Sequence, residues 1–311
     1  MKKVLVLGAS GGMGYSIVKE LLSRGILVTA FARNREKLKK LFGEDENVTI
    51  FAGDVFRLED LDKAAQDVDI IYHSANIPYI EWKEQLPILM SNILKTAVKH
   101  TTKLAIVDNV YAYGRSGGAL VSEMTIKNPH TKKGNIRLQV ETQVKESNVP
   151  AFIAHLPDFY GPNAENTILN YTLLNVVKDK KTSYVGDQQI SREFIYTPDG
   201  AKAIVSLSLL NEAYGQCWNI PGHGVITGEE LVKMIRKITG YQKGVSTISK
   251  NMIRFLGMFN RQMREVVEMF YLNEEPVVLN GEKVEKLIGK VPSTSYEEGL
   301  RQTIEHMKKN Q

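Results

Sequence analysis

Residues 4–14 read Val4-Leu5-Val6-Leu7-Gly8-Ala9-Ser10-Gly11-Gly12-Met13-Gly14, and this stretch decides the fold. Its first four residues form a continuous apolar run, which is typical of a strand covered on both faces of a parallel sheet. The glycines that follow predict a tight turn. The segment 13–23 then has the apolar spacing of an amphipathic helix. The order of strand, glycine turn and helix predicts the opening unit of an α/β protein.

The alternation of strand and helix continues through the first half of the chain. Apolar runs predict further strands at 26–32, 48–52, 68–72, 104–107 and 151–156, and a helix is expected over 135–146. Consecutive parallel strands need right-handed crossovers through helices. The pattern therefore predicts an α/β fold, a Rossmann-type doubly wound parallel sheet.

Composition excludes several classes of protein. The chain has 311 residues, 43% of them hydrophobic, and a net charge of +5 without a basic run, so we expect no nucleic-acid partner. The apolar run that ends at Gly8 is too short for a signal peptide, and no stretch approaches the roughly 18 apolar residues of a membrane span. We therefore expect no membrane partner and a cytoplasmic location. The single cysteine, Cys217, suits a reducing compartment.

The glycine-rich turn stands where a dinucleotide-binding site is built. Glycine has no Cβ, so the backbone can turn tightly and approach a pyrophosphate, whose charge is met by amides at the helix N-terminus. A plain turn between strand and helix is the less favoured alternative. The residues expected to contact the cofactor here are Gly8, Ser10, Gly11, Gly12, Met13 and Gly14.

The end of the second predicted strand indicates which dinucleotide is bound. An enzyme that prefers NAD usually has an acidic residue there, which accepts from the ribose hydroxyls. This chain has Arg33, which can pair with a 2′-phosphate, so we expect NADP(H) to bind better than NAD(H). Alternatively, Arg33 and Arg35 only solvate the start of a helix. Asp54, after the third strand, could accept from the adenine amino group or cap the next helix.

Several motifs together resemble the extended short-chain dehydrogenase/reductases, the family of sugar-nucleotide epimerases and dehydratases. The motifs are the opening turn, Gly53-Asp54-Val55, His73-Ser74-Ala75-Asn76, Tyr113-Gly114, residues 157–162, residues 192–199 and residues 297–300. The resemblance spans nearly the whole chain. It implies cofactor contacts from Val55, Ser74, Ala75 and Asn76, and a homodimer by analogy. It does not identify the substrate, because the family's substrates vary widely.

The chain departs from the family at the catalytic positions. The resemblance implies a Ser or Thr, a Tyr and a Lys where this sequence has Asn109, Lys133 and Arg137, whereas Glu141 matches. Asn109 can still hydrogen-bond a carbonyl, and Arg137 can still hold the nicotinamide ribose and supply positive charge. Neither is a competent acid near neutral pH.

Another side chain would then have to supply the proton. The candidates are Lys133, if its surroundings favoured the neutral amine, and Tyr111, Tyr113 and Tyr160, which the resemblance places near the nicotinamide. Lys133 could instead belong to a solvated helix start, and the tyrosines could form part of the pocket wall without a catalytic role. The histidines lack HxH or HxxxH spacing, so no metal site is predicted.

The sequence therefore predicts two parts and two alternative functions. Residues 1–160, with returning segments at about 190–220, are expected to form the dinucleotide-binding domain. Residues 161–189 and 221–311 are expected to form a smaller, mostly helical lobe that binds a small-molecule substrate, with helices at 168–178, 228–239 and 250–270. The leading hypothesis is an NADP(H)-dependent oxidoreductase or epimerase/dehydratase-like enzyme. The alternative is a non-catalytic protein that senses NADP(H).

Overall fold

The computed structural model describes residues 2–310, and its central element is a parallel sheet of seven strands. The strands of the described chain are β1 Lys3–Leu7, β2 Leu27–Ala32, β3 Val48–Ala52, β4 Ile70–His73, β5 Lys103–Asn109, β6 Leu120–Val121, β7 Ala151–Leu156, β8 Asp158–Tyr160, β9 Thr182–Val185, β10 Arg192–Tyr196, β11 Cys217–Asn219, β12 Val225–Ile226, β13 Val245–Ile248 and β14 Val278–Leu279. The large sheet has the order β3-β2-β1-β4-β5-β7-β11. This order is that of the doubly wound dinucleotide-binding folds with one added strand, so the predicted fold class is confirmed.

Helices cover both faces of the large sheet and build most of the remaining chain. They are α1 Gly12–Ser23, α2 Arg35–Phe42, α3 Leu58–Ala64, α4 Trp82–His100, α5 Lys132–Lys145, α6 Ile168–Val177, α7 Thr197–Ser208, α8 Gly228–Thr239, α9 Lys250–Phe259, α10 Arg261–Val267, α11 Tyr271–Glu274, α12 Glu282–Ile288 and α13 Tyr296–Lys309. Short 3-10 turns span Tyr79–Glu81, Tyr111–Tyr113, Asn211–Ala213 and Glu268–Phe270. None of the helices within residues 2–310 combines the length and the apolar character that crossing a bilayer requires.

The apolar run of β1 is explained by burial on both sides of the sheet. Val4 and Val6 belong to the core layer that includes α1 and α7, whereas Leu5 and Leu7 belong to the layer that includes α3, α4 and α5. Successive side chains of a strand point to opposite faces, so a strand buried on both faces carries apolar residues at every position.

The strand order reverses between β1 and β4. From β1 the sheet continues to β2 and β3 on one side, and to β4 and β5 on the other. In such sheets the crevice beyond the carboxyl ends of the strands, at this reversal, is where ligands bind. The glycine turn, the end of β2 and the end of β4 all lie at this edge.

Part of the returning segment differs from expectation. Helix α7 packs against α1, and β11 joins the edge of the large sheet beside β7. Strand β10 instead pairs with β8 and β12 in a separate three-stranded sheet. The chain leaves the large sheet at Pro157, which follows β7 directly, and β8 then offers β10 a different partner.

The helix expected over 250–270 is divided into α9, α10 and a 3-10 turn. The break lies at Asn260, whose backbone is extended and whose Oδ1 accepts from the amides of Gln262 and Met263 at 2.9 and 3.2 Å. Asparagine is a strong N-cap, so it starts a new helix here instead of continuing the first one. The prediction of one continuous helix was therefore wrong.

Candidate functional site

The glycine turn closes directly after β1 and lies against the end of β4. Gly8 has a φ of 82°, and a Cβ at this position would stand 2.6 Å from the backbone nitrogen of Ala75. A Cβ on Gly14 would stand 2.2 Å from the carbonyl oxygen of Gly8, so α1 packs tightly against the turn. Both glycines are therefore required by the turn itself.

Gly11 is the part of the turn that is open to a ligand. It is exposed, and a Cβ there would meet only the carbonyl oxygen of Gly8, at 3.4 Å. Gly11 is also the N-cap of α1 and provides no side-chain cap, so amides of the first helical turn lack a side-chain acceptor. Amides in this position bind phosphate groups. The turn therefore fits the pyrophosphate of a dinucleotide.

The other residues of the turn are supported from within the protein. Asn163 donates from Nδ2 to the carbonyl oxygen of Ser10 at 2.9 Å. A Cβ on Gly12 would lie 2.7 Å from the Cα of Ala164. Met13 is buried in the core layer beneath α7, so it offers a ligand mainly its backbone amide. The loop that contains Asn163 and Ala164 thus forms one wall of the turn.

Arg33 lies exposed just after β2 and makes no ion pair with any residue in the range 2–310. The neighbouring Asn34 caps α2 by accepting from the amide of Lys37 at 2.9 Å, and Lys37 pairs with Glu165 at 2.8 Å. Arg35 is exposed on the first turn of α2. Because Asn34 supplies the cap, the Arg33 side chain remains available to a ligand.

Asp54 forms a local turn at the end of β3. Its Oδ1 accepts from the amide of Phe56 at 3.0 Å, and its own amide donates to Asp60 at 2.9 Å. Helix α3 has its N-cap at Arg57, so Asp54 does not cap the helix. The carbonyl of the next residue, Val55, accepts from Asn92 on α4 at 3.3 Å. These contacts fix the loop at the end of β3.

The end of β4 connects the glycine turn with α5. The hydroxyl of Ser74 donates to the carbonyl oxygen of Leu7 at 2.9 Å, and Ala75 lies against Gly8. Asn76 is exposed, and its Oδ1 accepts from the guanidinium of Arg137 at 3.5 Å. The structure therefore brings all three expected cofactor residues of this loop to the turn or to Arg137.

Arg137 is buried beside aromatic and acidic partners. Its guanidinium pairs with Asp108 at 3.2 Å and lies 4.2 Å from the ring centroid of Trp82. Burial, together with the charge of Arg137, lowers the pKa of His73 at the end of β4 to about 3, so this imidazole is neutral at physiological pH. Arg137 thus supplies fixed positive charge at the position that the family resemblance gives to a lysine.

Lys133, at the tyrosine position of the family, is buried and contacts two carboxylates, one on α10 and one on the 3-10 turn that follows it. Only 2% of it is exposed, and its Nζ contacts Glu265 and, at 2.8 Å, Glu268. Glu268 also accepts from the amides of Lys132 and Lys133 at 2.9 and 3.3 Å. A solvated helix start is therefore the wrong interpretation. The ammonium group of Lys133 therefore donates its hydrogen bonds to these two carboxylates.

The hydroxyl groups of Tyr111 and Tyr79 form a hydrogen bond beyond the carboxyl ends of β4 and β5. The two hydroxyl oxygens are 2.6 Å apart. Burial, together with the nearby Tyr79, raises the pKa of Tyr111 well above its usual value, and burial raises the pKa of Tyr79 to about 12. Both hydroxyls therefore keep their protons at neutral pH.

A small cavity of about 30 Å³ lies beside Tyr111. Asn109 lines it, with its Oδ1 accepting from the amide of Tyr111 at 3.0 Å, so the Asn109 side-chain amide keeps its donors. Asp158 and Arg192 form an ion pair on the same wall. The remaining lining residues are Val110, Leu156, Pro157, Glu193, Leu272, Pro276 and Val277.

Two of the candidate tyrosines do not reach this cavity. The hydroxyl of Tyr113 donates to Asn219 at 2.8 Å, and its ring lies beside His155. Tyr160 is buried in a separate core cluster with residues of α6, α8 and α13, and it stacks on Tyr296 with ring centroids 5.9 Å apart. Their positions do not support a role as the general acid. Among the three tyrosines, we retain this role for Tyr111 alone.

Three side chains that could bind a metal lie close together on α5, β7 and β11, although their sequence spacing forms no metal-binding motif. Side-chain ligand atoms of Glu141, His155 and Cys217 lie within 4.8 Å of one another. The ammonium of Lys127 already contacts Glu141 and, at 3.1 Å, His155. Lys145 also pairs with Glu141, at 2.7 Å. The carboxylate therefore has two cationic partners within the protein.

Sequence reasoning missed four residues of the candidate site, namely Tyr79, Trp82, Asp158 and Arg192. Tyr79 and Trp82 follow β4, at the strand reversal where ligand-binding loops are expected, so their position was an available signal. Asp158 and Arg192 stood within quoted motifs, but nothing in the sequence shows that they form an ion pair.

Comparisons with known proteins agree with this architecture. Residues 4–220 match the model of the NAD dependent epimerase/dehydratase family. The chain is 27% identical over 263 residues to a Bacillus subtilis protein described as an uncharacterized UDP-glucose epimerase, YtcB, which covers 76% of this chain and 82% of the relative. It is 21% identical over 267 residues to the photosystem II assembly factor Ycf39 of Synechocystis, covering 83% of this chain and 74% of that protein.

Among solved structures, one similar fold is a UDP-glucuronic acid 4-epimerase from Bacillus cereus in complex with NAD. The two structures superpose with a TM-score of 0.81 at 20% identity, over 99% of each chain. At this identity the likeness supports the fold alone.

Proposed function

Because this chain belongs to the NAD dependent epimerase/dehydratase family, we propose that it is a dinucleotide-dependent enzyme that reduces a carbonyl of a nucleotide-linked sugar. The observation that carries the proposal is the position of Tyr111, a residue that lines a cavity at the same sheet edge as the open glycine turn. The nucleotide sugar is suggested by the names of similar proteins, UDP-glucose and UDP-glucuronic acid epimerases.

The cofactor groove would be formed by the three strand ends around β1. Amides at Gly11 and the start of α1 would hold the pyrophosphate, Arg33 would pair with a 2′-phosphate, and Asp54 would face the adenine. Asn76 and Arg137 would hold the nicotinamide ribose. The bound dinucleotide supplies hydride chemistry. NADP(H) is the preferred form in this proposal because Arg33 takes the place of an acidic residue.

Tyr111 would donate the proton that accompanies reduction of the carbonyl. Its raised pKa keeps it protonated, and Asn109 can hold the carbonyl oxygen through its side-chain amide. Donation leaves a tyrosinate. Burial raises the pKa of Tyr111, but the nearby charge of Arg137 lowers it and would offset part of the cost of forming the tyrosinate.

The cavity has room for only about one or two water molecules, so a substrate must displace part of its lining. Leu272, Pro276 and Val277 form the wall contributed by the second lobe. Movement of this wall on substrate binding is the expected route of entry.

The proposal is tested by following nicotinamide absorbance while the purified protein is mixed with NADPH and a panel of nucleotide sugars that carry a keto group. Turnover with a panel member supports the proposal. Tight NADPH binding without turnover on any keto sugar or simple carbonyl compound contradicts it.

Replacing Arg33 with alanine is expected to weaken NADP(H) binding about ten- to hundredfold, since a charge-assisted hydrogen bond contributes about 1.5–3 kcal/mol. Binding of NAD(H), which has no 2′-phosphate, should change little. Titration calorimetry with both cofactors measures this. Lys40→Ala, which removes another exposed cation from α2, is the control. Equal losses for NADP(H) and NAD(H) would show that Arg33 does not select the phosphate.

A non-catalytic role is the second candidate. It is favoured by the burial of Lys133 at the tyrosine position and by the similarity to Ycf39, which is named as an assembly factor. Such a protein would bind NADP(H) without turnover, so the same absorbance assay separates the two functions.

A further inference from the structure

Helix α9 presents an apolar stripe to solvent. Ile253 and Gly257 face the protein and are buried. Met252, Phe255, Leu256 and Phe259 lie on the opposite face at the i, i+3, i+4, i+7 spacing of one helical side, and each is between 48% and 79% exposed. The rings of Phe255 and Phe259 contact each other at 5.5 Å. Contiguous exposed apolar surface of this kind marks an interaction site.

The segment that carries the stripe is cationic. Residues 250–264 contain Lys250, Arg254, Arg261 and Arg264 and no Asp or Glu. Lys250 pairs with Glu274 at 2.8 Å. The three arginines are exposed, and none is in an ion pair with another residue of the described chain. A surface that complements this segment must therefore be apolar where it meets the stripe and negatively charged where it meets the arginines.

A second copy of the chain is a poor complement. In a symmetric pair the same cationic segment is brought against itself, so the charges of Arg254, Arg261 and Arg264 from both copies are concentrated at one interface. Like charges brought together at an interface are unfavourable. An anionic bilayer supplies both requirements, because lipid tails accept the apolar side chains while the headgroups pair with the arginines.

We propose that the stripe of α9, with the three arginines of the segment 250–264, docks on the surface of an anionic phospholipid bilayer. Phe255 and Phe259 enter the boundary between headgroups and acyl chains, and α9 lies parallel to the surface. This is surface docking of a helix that does not span the bilayer. It departs from the expectation of no membrane partner, which rested on the lack of a spanning segment.

The experiment is co-sedimentation of the purified protein with phosphatidylcholine vesicles that contain or lack phosphatidylglycerol. Wild-type protein is expected to sediment with the anionic vesicles and to be released by high salt. The double variant Phe255→Ser/Phe259→Ser should bind at least about tenfold more weakly, because its apolar contact is lost. The triple variant Arg254→Gln/Arg261→Gln/Arg264→Gln should lose the preference for anionic vesicles.

Met124→Ser/Ile126→Ser is the matched control, since these residues are 89% and 88% exposed in a different segment. This variant should bind vesicles like the wild type. All three altered surfaces are exposed, and circular dichroism checks that each variant folds. Absence of wild-type binding to anionic vesicles overturns the proposal, as does equal binding by the Phe255/Phe259 variant. So does a dimer that the phenylalanine variant dissociates while no vesicle binding is found.

Discussion

Replacing Tyr111 with phenylalanine is expected to lower turnover of a keto-sugar substrate by about 10²–10⁴-fold, which is the usual contribution of a positioned general acid. Tyr111 lines the candidate cavity, and its hydroxyl is held 2.6 Å from that of Tyr79, so removal of the hydroxyl leaves the ring in the cavity wall. Cofactor binding should be unchanged. The measurement is kcat from NADPH consumption, with cofactor affinity determined separately by calorimetry.

Tyr113→Phe is the matched control for this prediction. Tyr113 lies in the same 3-10 turn and is buried, but its hydroxyl donates to Asn219 away from the cavity. The control should retain turnover within a few-fold. Lys133→Gln should also have the smaller effect on kcat, because the ammonium is committed to Glu265 and Glu268. If Tyr111→Phe retains full turnover while Lys133→Gln loses it, the acid is assigned to the wrong side chain.

Replacing Gly8 with alanine is expected to destabilise the protein by roughly 2–6 kcal/mol, the sum of a strained backbone and an overpacked contact. The added methyl group would stand 2.6 Å from the backbone nitrogen of Ala75, which cannot move without shifting the end of β4. The displaced turn would also lose amide contacts to phosphate, which lowers dinucleotide affinity by at least about 100-fold. Denaturant unfolding and calorimetry measure the two effects.

Gly25→Ala separates backbone strain from the contact. Gly25 has a φ of 70°, similar to that of Gly8, but a Cβ there would meet nothing within 4 Å. Its replacement should cost only about 1–2 kcal/mol and leave dinucleotide affinity unchanged. Equal destabilisation by the two variants would show that the approach of Gly8 to β4 contributes nothing.

Local pattern predicted most of the Rossmann unit. The strands at 48–52 and 151–156 have the predicted bounds, since buried parallel strands have unbroken apolar runs between turn residues. The resemblance to the extended short-chain dehydrogenase/reductases is confirmed by the family match. The pairing of strand β10 with β8 and β12 was not predicted, because it depends on residues distant in sequence. Asn260 is a local helix-capping residue, but the apolar residues on both sides of it suggest one continuous helix.

The candidate site was less predictable than the fold. The motif located the glycine turn because steric requirements there depend on a few neighbouring residues. The burial of Lys133 depends on Glu265 and Glu268, more than 130 residues away, so no local pattern could indicate it. The same holds for the Tyr79–Tyr111 hydroxyl pair, which joins loops after two different strands. The roles of Asn109, Arg137 and Arg33 stay predictions.

The ion pairs of Lys133 connect helix α5 to the segment 261–268, and we expect acid to weaken this connection. Its hydrogen bond to Glu265 lowers the pKa of that carboxyl below the ordinary value of 4.5. A carboxyl with a depressed folded pKa stabilises the folded form above its unfolded pKa, and this contribution is lost as the pH falls through the folded value. The ion pair with Lys133 therefore contributes to stability at neutral pH, and we expect this contribution to be lost in acid, below the ordinary pKa of a glutamate.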